Sequence, residues 1–373
     1  MPRSFHPACL PVAPGGMPHA NPSLALGLVM ATVPAIPSFL TWPQLPRRSF
    51  REQRFVQSAA GFPGLVIDST SRRVYVDRAI AERDLDRLSL AYLTHDISAG
   101  ALTEEYAAGL KEALQVPRSR FEGVVVRSML VGPISLGLKL ADEQERPLVY
   151  DPMLLEALTH HLSLRASWLS AQFNDQADTT IICLDEPFLD AIHSPFLPLD
   201  WDRSIDMLEL VFAGVRGGRG LSVGAIGPRQ KEQPPPIHWE QLMETSMECF
   251  ACDVYYRQDI LLDAAPVLPA FLNRRGFVIW GLIPAQEEAL ALETAETLVE
   301  RFQDLVHELG AVGVPQDLLV PASAISTSGG LEHLSVALAE RAMQLCVEVS
   351  RLLRLAYGFK DTEGRIRPPG SRE

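Results

Sequence analysis

The chain has 373 residues, 47% apolar and 21% charged, with a formal charge of −13 at pH 7. That length and apolar share suffice for one large domain or two ordinary ones, and the acidic balance argues against nucleic acid or an anionic membrane as a main partner. Five cysteines are too few for a disulfide framework, and the odd count fits a reducing, cytoplasmic setting.

No apolar run reaches the roughly 18–20 residues of a membrane span. The best candidate, Leu24 to Leu40, is broken by Pro34 and Pro37. Arg3 precedes no continuous apolar leader segment. Residues 1–13 read as a flexible, loop-like N-terminus. Asn21–Ala31 predicts a helix, capped by Asn21 with Pro22 in its first turn. Residues 34–80 form an excursion that opens Pro-rich, up to Arg48. It closes with a hairpin over Gly64–Asp77, where Leu65–Ile67 and Val74–Val76 flank a turn. Helices are expected over 82–94 and 103–114.

A strand–helix rhythm then takes over. Strands are expected at 123–131, 179–184, 248–254, 277–282 and 318–321, and 220–226 is apolar and Gly-punctuated. Helices are expected at 152–174, 205–213, 240–245, 264–274, 286–309 and 331–355. Short strands alternating with longer helices imply parallel βα units. Six or seven units ending in polar, Gly or Pro residues suit an α/β fold of the (β/α)8 TIM-barrel type, with an N-terminal extension and the hairpin. The barrel is expected over 14–358, followed by a mobile tail, 359–373.

In such a barrel the loops after the strands carry the chemistry. Asp185-Glu186-Pro187 follows an apolar strand directly, so its carboxylates suit amine binding or acid–base work. A blander reading has Asp185 at the mouth and Glu186 capping the next helix. Cys249 and Cys252 form a CxxC, yet residues three apart on a strand face opposite ways, so a buried strand is favoured over a chelate. Asp253, on the face of Cys249 and Ala251, is the residue to follow. His160-His161 reads as a solvated helix face. Arg47, Arg48, Arg51 and Arg54 suit either an anionic substrate tail or a solvated, ion-paired helix start. No phosphate loop or His-Glu-x-x-His is present.

Several segments, in order, resemble one family. They are Gly15-Gly16-Met17-Pro18-His19 with Asn21-Pro22, Trp42-Pro43-Gln44-Leu45-Pro46 with Glu52 and Gln57, and Phe62-Pro63-Gly64. Gly132-Pro133-Ile134-Ser135, Tyr150-Asp151-Pro152, and Asp185-Glu186-Pro187-Phe188 with Ser194 follow. Trp280-Gly281-Leu282-Ile283-Pro284 and Ile325-Ser326-Thr327-Ser328-Gly329-Gly330 complete the set. From about residue 14 to 358 the chain resembles short, single-barrel relatives of the catalytic half of cobalamin-independent methionine synthase. That superfamily also holds uroporphyrinogen decarboxylase.

The resemblance implies methyl transfer from a folate or corrinoid donor to a zinc-activated thiol. It implies Asp185 and Asp253 as catalytic residues, and Gly16, His19, Gln57, Glu186 and Trp280 on the substrate. The chain departs from the family at the metal. Ser222, Gly224 and Gly329 replace zinc ligands, and Asp253 alone keeps a ligand position. One carboxylate does not make a zinc site, which needs at least three protein ligands. His238, displaced by Pro234-Pro235-Pro236, or Cys249 would have to rebuild one.

Three readings stand. The first is a zinc-independent or degenerate methyltransferase acting on a thiol or related acceptor. The second is a non-catalytic relative that binds a small molecule or a corrinoid protein. The third is metal-free tetrapyrrole chemistry of the decarboxylase type.

Overall fold

The structure is a computed structural model, described for residues 6–31, 38–121, 123–177, 179–224 and 237–359. Its strands are β1 (Leu10–Pro11), β2 (Ser38–Thr41), β3 (Leu65–Asp68), β4 (Arg73–Val76), β5 (Val124–Val131), β6 (Thr179–Glu186), β7 (Gly218–Val223), β8 (Cys249–Asp253), β9 (Phe277–Ile283) and β10 (Ser323–Thr327). Eight form one sheet, in the order β1-β10-β9-β8-β7-β6-β5-β2. Every pairing in it is parallel. A parallel bridge between Gly16 and Gln44 joins the chain just after β1 to the chain just after β2, and so closes the sheet. Helices link the strands, and the expected (β/α)8 barrel is what forms. β3 and β4 pair antiparallel as the expected hairpin.

Some expectations move. The chain from Cys9 to Val12 is no flexible leader: Cys9 N–H donates to Ser323 O at 2.6 Å and Val12 N–H to Ile325 O at 2.7 Å. Pro11 lacks an N–H, and the flanking residues make the bonds to β10 instead. The excursion over 34–80 holds a barrel strand, β2, in register with β5. The last strand is Ser323–Thr327; the residues expected to form it lie partly in a helical turn, Gln316–Leu319, begun after Pro315. A four-residue apolar run cannot be assigned by periodicity alone.

The helix expected over 286–309 divides into Glu287–Leu292 and Ala295–Ala311. Thr294 starts the second piece with reciprocal side-chain bonds to Thr297, a cap invisible to a search for Glu at that position. Pro266 and Pro269 likewise break the stretch over 264–274 into the ends of two short helices. Arg3, Pro34, Pro37, Ile226, the Pro234–Pro236 run and residues 360–373 lie outside the described residues.

The core fills both sides of the sheet. Inside, Phe39 of β2 meets Phe277 of β9 across the barrel, ring centroids 5.9 Å apart. Outside, the indoles of Trp42 and Trp280 donate to Ser128 Oγ (2.8 Å) and Ser323 Oγ (3.0 Å), so each large buried ring also satisfies its N–H. The helix Pro152–Gln172 is buried on most of its surface. His161 is therefore no solvated residue: burial drives its pKa down to about 3, and it sits edge-on to Phe62. Its neighbour His160 is half-buried and stacks on Tyr92.

One helical turn further on, fully buried Arg165 donates to Gln57 O at 2.9 Å and also to Ala60 O. These carbonyls end the short helix Arg54–Ala59, so the guanidinium caps that helix and holds it against the barrel. Burial without a carboxylate lowers the Arg165 pKa to about 9. Arg165→Met is expected to lower stability by about 2–3 kcal/mol, because it strands two buried carbonyls. A urea midpoint unchanged from wild type would contradict this.

Candidate functional site

A cavity of about 490 Å³ opens at the C-terminal ends of the strands. Pleat alternation decides what faces it. On β6 to β9, register aligns Asp185 with Ser222, Ser222 with Ala251, and Asp253 with Gly281, and these five residues line the cavity. Intervening residues such as Leu184, Leu221 and Trp280 do not.

Asp185 is the last residue but one of β6 and is mostly buried. Its Oδ2 accepts from Arg54 Nη1 at 2.5 Å, and Arg54 also lines the cavity. Of the four arginines near residue 50, Arg54 alone lines it. Arg47 holds the Glu332 and His333 carbonyls, Arg48 pairs with Glu52, and Arg51 reaches Tyr106 Oη. Asp253 ends β8. Its Oδ1 accepts from the N–H groups of Tyr255 (2.9 Å) and Tyr256 (3.0 Å), which fixes the turn leaving the strand. Burial raises its pKa to about 6 despite those bonds and despite Arg257.

Gly16 lines the cavity as expected. A Cβ there would fall 2.1 Å from Glu332 Oε2, so a larger residue would displace the Glu332 carboxylate. Four other expected substrate residues are not among those lining it. Glu186 caps the preceding helix rather than the next one: its two oxygens accept from Ile134 N (3.0 Å) and Ser135 N (2.7 Å) at the start of Pro133–Lys139. Trp280 points outward against Phe302, at 4.5 Å between rings, because Ile279 and Gly281 hold the inward positions. His19 is buried with Nδ1 unpartnered. Gln57 acts at one remove: it accepts from Gln44 Nε2 at 2.6 Å and donates to Tyr106 O, and Gln44 lines the cavity.

Ser222, Gly224 and Gly329 all face the cavity with Asp253, and none supplies a nitrogen or thiolate donor. Cys249 begins β8 where Asp253 ends it, so about 13 Å of strand separates them. His238 stacks on Trp201, and its Nδ1 lies 3.1 Å from Gln241 Oε1. Among the described residues no three His, Cys, Asp or Glu side chains converge as a metal site.

Arg127 and Glu332 line the cavity without having been singled out in the sequence, and Gln44, quoted there only within a motif, lines it too. For Arg127 a signal existed: it is the one charge inside the β-branched run Val124–Val131. Gln44 and Glu332 reach the site only through closure of the ring.

Fully buried Glu186 has its pKa raised from 4.5 to about 7, chiefly by desolvation. Below about pH 4.5 it is protonated in both states; between there and about 7 only the unfolded chain has released its proton. Its contribution to stability therefore declines as pH rises through that window and then levels off. Urea unfolding of wild type and Glu186→Gln at pH 5 and pH 8 should show a smaller decline in the variant. Parallel declines would refute the assignment.

No family model matches the sequence, and no curated protein matches it. Solved structures do. A methyltransferase from Methanosarcina mazei aligns over 88% of this chain and 86% of its own, at 14% identity and TM-score 0.50. A B12-independent methionine synthase from Shewanella sp. W3-18-1, in complex with selenomethionine, aligns over 67% of this chain at 15% identity and TM-score 0.46. The chain covers 65% of that protein, just under two thirds of its length. A putative vitamin-B12 independent methionine synthase from Listeria monocytogenes gives 14% identity and TM-score 0.43, over 66% of this chain and 69% of that one. In fold, this chain is a barrel of the kind seen in the Methanosarcina methyltransferase.

Proposed function

We propose that the chain is a methyltransferase-type enzyme acting on a small thiol or related acceptor, with no resident zinc. The observation that carries the reading is the pair Asp185 and Asp253 near the strand ends of one cavity, the first paired with Arg54 and the second bonded to backbone N–H groups. Asp185 is paired with Arg54 at 2.5 Å. Asp253 is held near a pKa of about 6. Two carboxylates whose environments set them apart are suited to different tasks.

Asp185 keeps Oδ1 available to a substrate amine while Oδ2 holds Arg54. Asp253 serves as general base. A free thiol has a pKa of about 8.5, and a carboxylate near 6 takes its proton more readily than one near 4. The proton passes to Asp253 and the sulfur lone pair forms the new S–C bond. The pair of the breaking methyl bond stays with the donor, a folate or a corrinoid. A corrinoid would arrive on a partner protein at the open mouth of the barrel. The absence of nitrogen and thiolate donors at Ser222, Gly224 and Gly329 supports activation by Asp253 in place of zinc.

Three measurements test this. With a methyl-folate or methyl-corrinoid donor and a thiol acceptor, kcat/KM should rise with pH through about 6, the value to which Asp253 is raised. Asp253→Asn should remove that rise and cut kcat by about 100-fold or more, with an unchanged circular dichroism spectrum. Equal turnover in the variant would overturn Asp253 as the base, and no turnover in wild type would leave a ligand-binding relative instead. Protein purified with added zinc should hold close to no zinc per chain by plasma mass spectrometry; one zinc per chain would overturn the zinc-free mechanism.

A further inference from the structure

Arg127 lies in the middle of β5, inside the barrel, and is 4% exposed. Its Cα is in register with Thr41 of β2 and Ile181 of β6. Among the described residues its guanidinium makes one hydrogen bond, from Nη2 to Cys183 Sγ at 3.6 Å, and its Nε has no partner. No described carboxylate pairs with it: Asp185 acts on it through space and is already bonded to Arg54. The nearby thiols of Cys183 and Cys249 are both pushed up by burial, so they stay neutral and supply no counter-charge. Gly220 leaves room for this arrangement, since a Cβ there would lie 3.2 Å from Cys183 Sγ.

A buried, unpaired guanidinium is costly because it gives up its hydration without a partner in return. Interior arginines normally recover that cost through a carboxylate or through several carbonyls, as Arg165 does here with Gln57 and Ala60. Arg127 recovers it through neither, yet it lines the cavity. Its fork of N–H donors matches carboxylate or phosphate geometry and stays charged at any physiological pH.

We propose that Arg127 is the anion anchor of the cavity, receiving a carboxylate or phosphate group of the ligand at the barrel floor. Cys183, which the guanidinium touches, lies two residues below Asp185 on β6, a rise of about 7 Å. A ligand gripped at Arg127 would therefore extend upward, with its other end beside Asp185 and Asp253. The ligand class is a small molecule of a few carbons with an anionic group at the inner end and its reacting group at the mouth. The inference shares with the proposed function only the assumption that the ligand occupies this cavity; methyl transfer is not needed for it.

The test is binding of inorganic phosphate and of butyrate to the full chain, read by phosphorus and proton ligand-observed NMR with no methyl donor present. Wild type is expected to bind one of the two, and which one it binds separates a phosphorylated from a carboxylate ligand. Arg127→Met should weaken that binding at least tenfold while raising the thermal midpoint, because an unpaired buried charge is gone. Arg127→Lys keeps the charge without the bidentate fork, so it should bind several-fold more weakly than wild type. Neither anion binding to wild type overturns the proposal. So does equal affinity in Arg127→Met or, should that variant not fold, in Arg127→Lys. Anion binding without methyl transfer would sink the proposed activity and leave the anchor standing.

Discussion

The seam between β1 and β2 is the contact on which the cavity depends. Every other neighbouring pair in the sheet is held by a ladder, but here β1 has only two residues and β2 four. Two backbone bonds seal the gap just beyond them: Gln44 N–H to Gly15 O at 2.7 Å and Met17 N–H to Gln44 O at 2.9 Å. Gly15, Gly16 and Gln44 all line the cavity, so the residues that close the ring also form one wall of the site. Gln57 fixes the Gln44 amide from behind, and Arg165 caps the helix that carries Gln57 and Arg54. A buried helix on the outside of the barrel thereby sets the geometry of an ion pair at its mouth.

Charge inside the barrel is arranged by depth. Asp185 and Asp253 stand at the strand ends, where solvent and Arg54 moderate them. Glu186, one residue beyond Asp185, points outward and satisfies the first turn of Pro133–Lys139. Gly132 makes this possible, because a Cβ there would lie 2.1 Å from Glu186 Oε1. Arg127 lies below, in a layer of thiols and apolar side chains where, among the described residues, no carboxylate pairs with it. Desolvation makes that layer costly for a lone cation, which is why an external anion is the natural partner.

Around Asp253 this cavity presents Ser222, Gly224 and Gly329, none of which carries a nitrogen or sulfur ligand. The rise in the Asp253 pKa follows from burial rather than from a neighbouring acid, with Asp259 a lesser contributor. A base of this kind works by being poorly solvated, and it needs no metal to be stronger than a surface aspartate.

The sequence by itself determined the barrel, through β-branched runs alternating with longer helical stretches. It also determined the positions of Asp185 and Asp253, because inward residues close to the ends of such strands face the mouth. Strand parity, legible once the strands were placed, separates inward Gly281 from outward Trp280. Tertiary structure alone decided the rest. Leu10–Pro11 is a strand only because β10 lies beside it, and Glu186 is a cap only because the helix after β5 starts next to β6. Gln44, Arg54 and Glu332 line one cavity with Asp185 and Asp253, though these residues lie far apart along the chain. No local pattern encodes such a meeting; closing the ring brings it about.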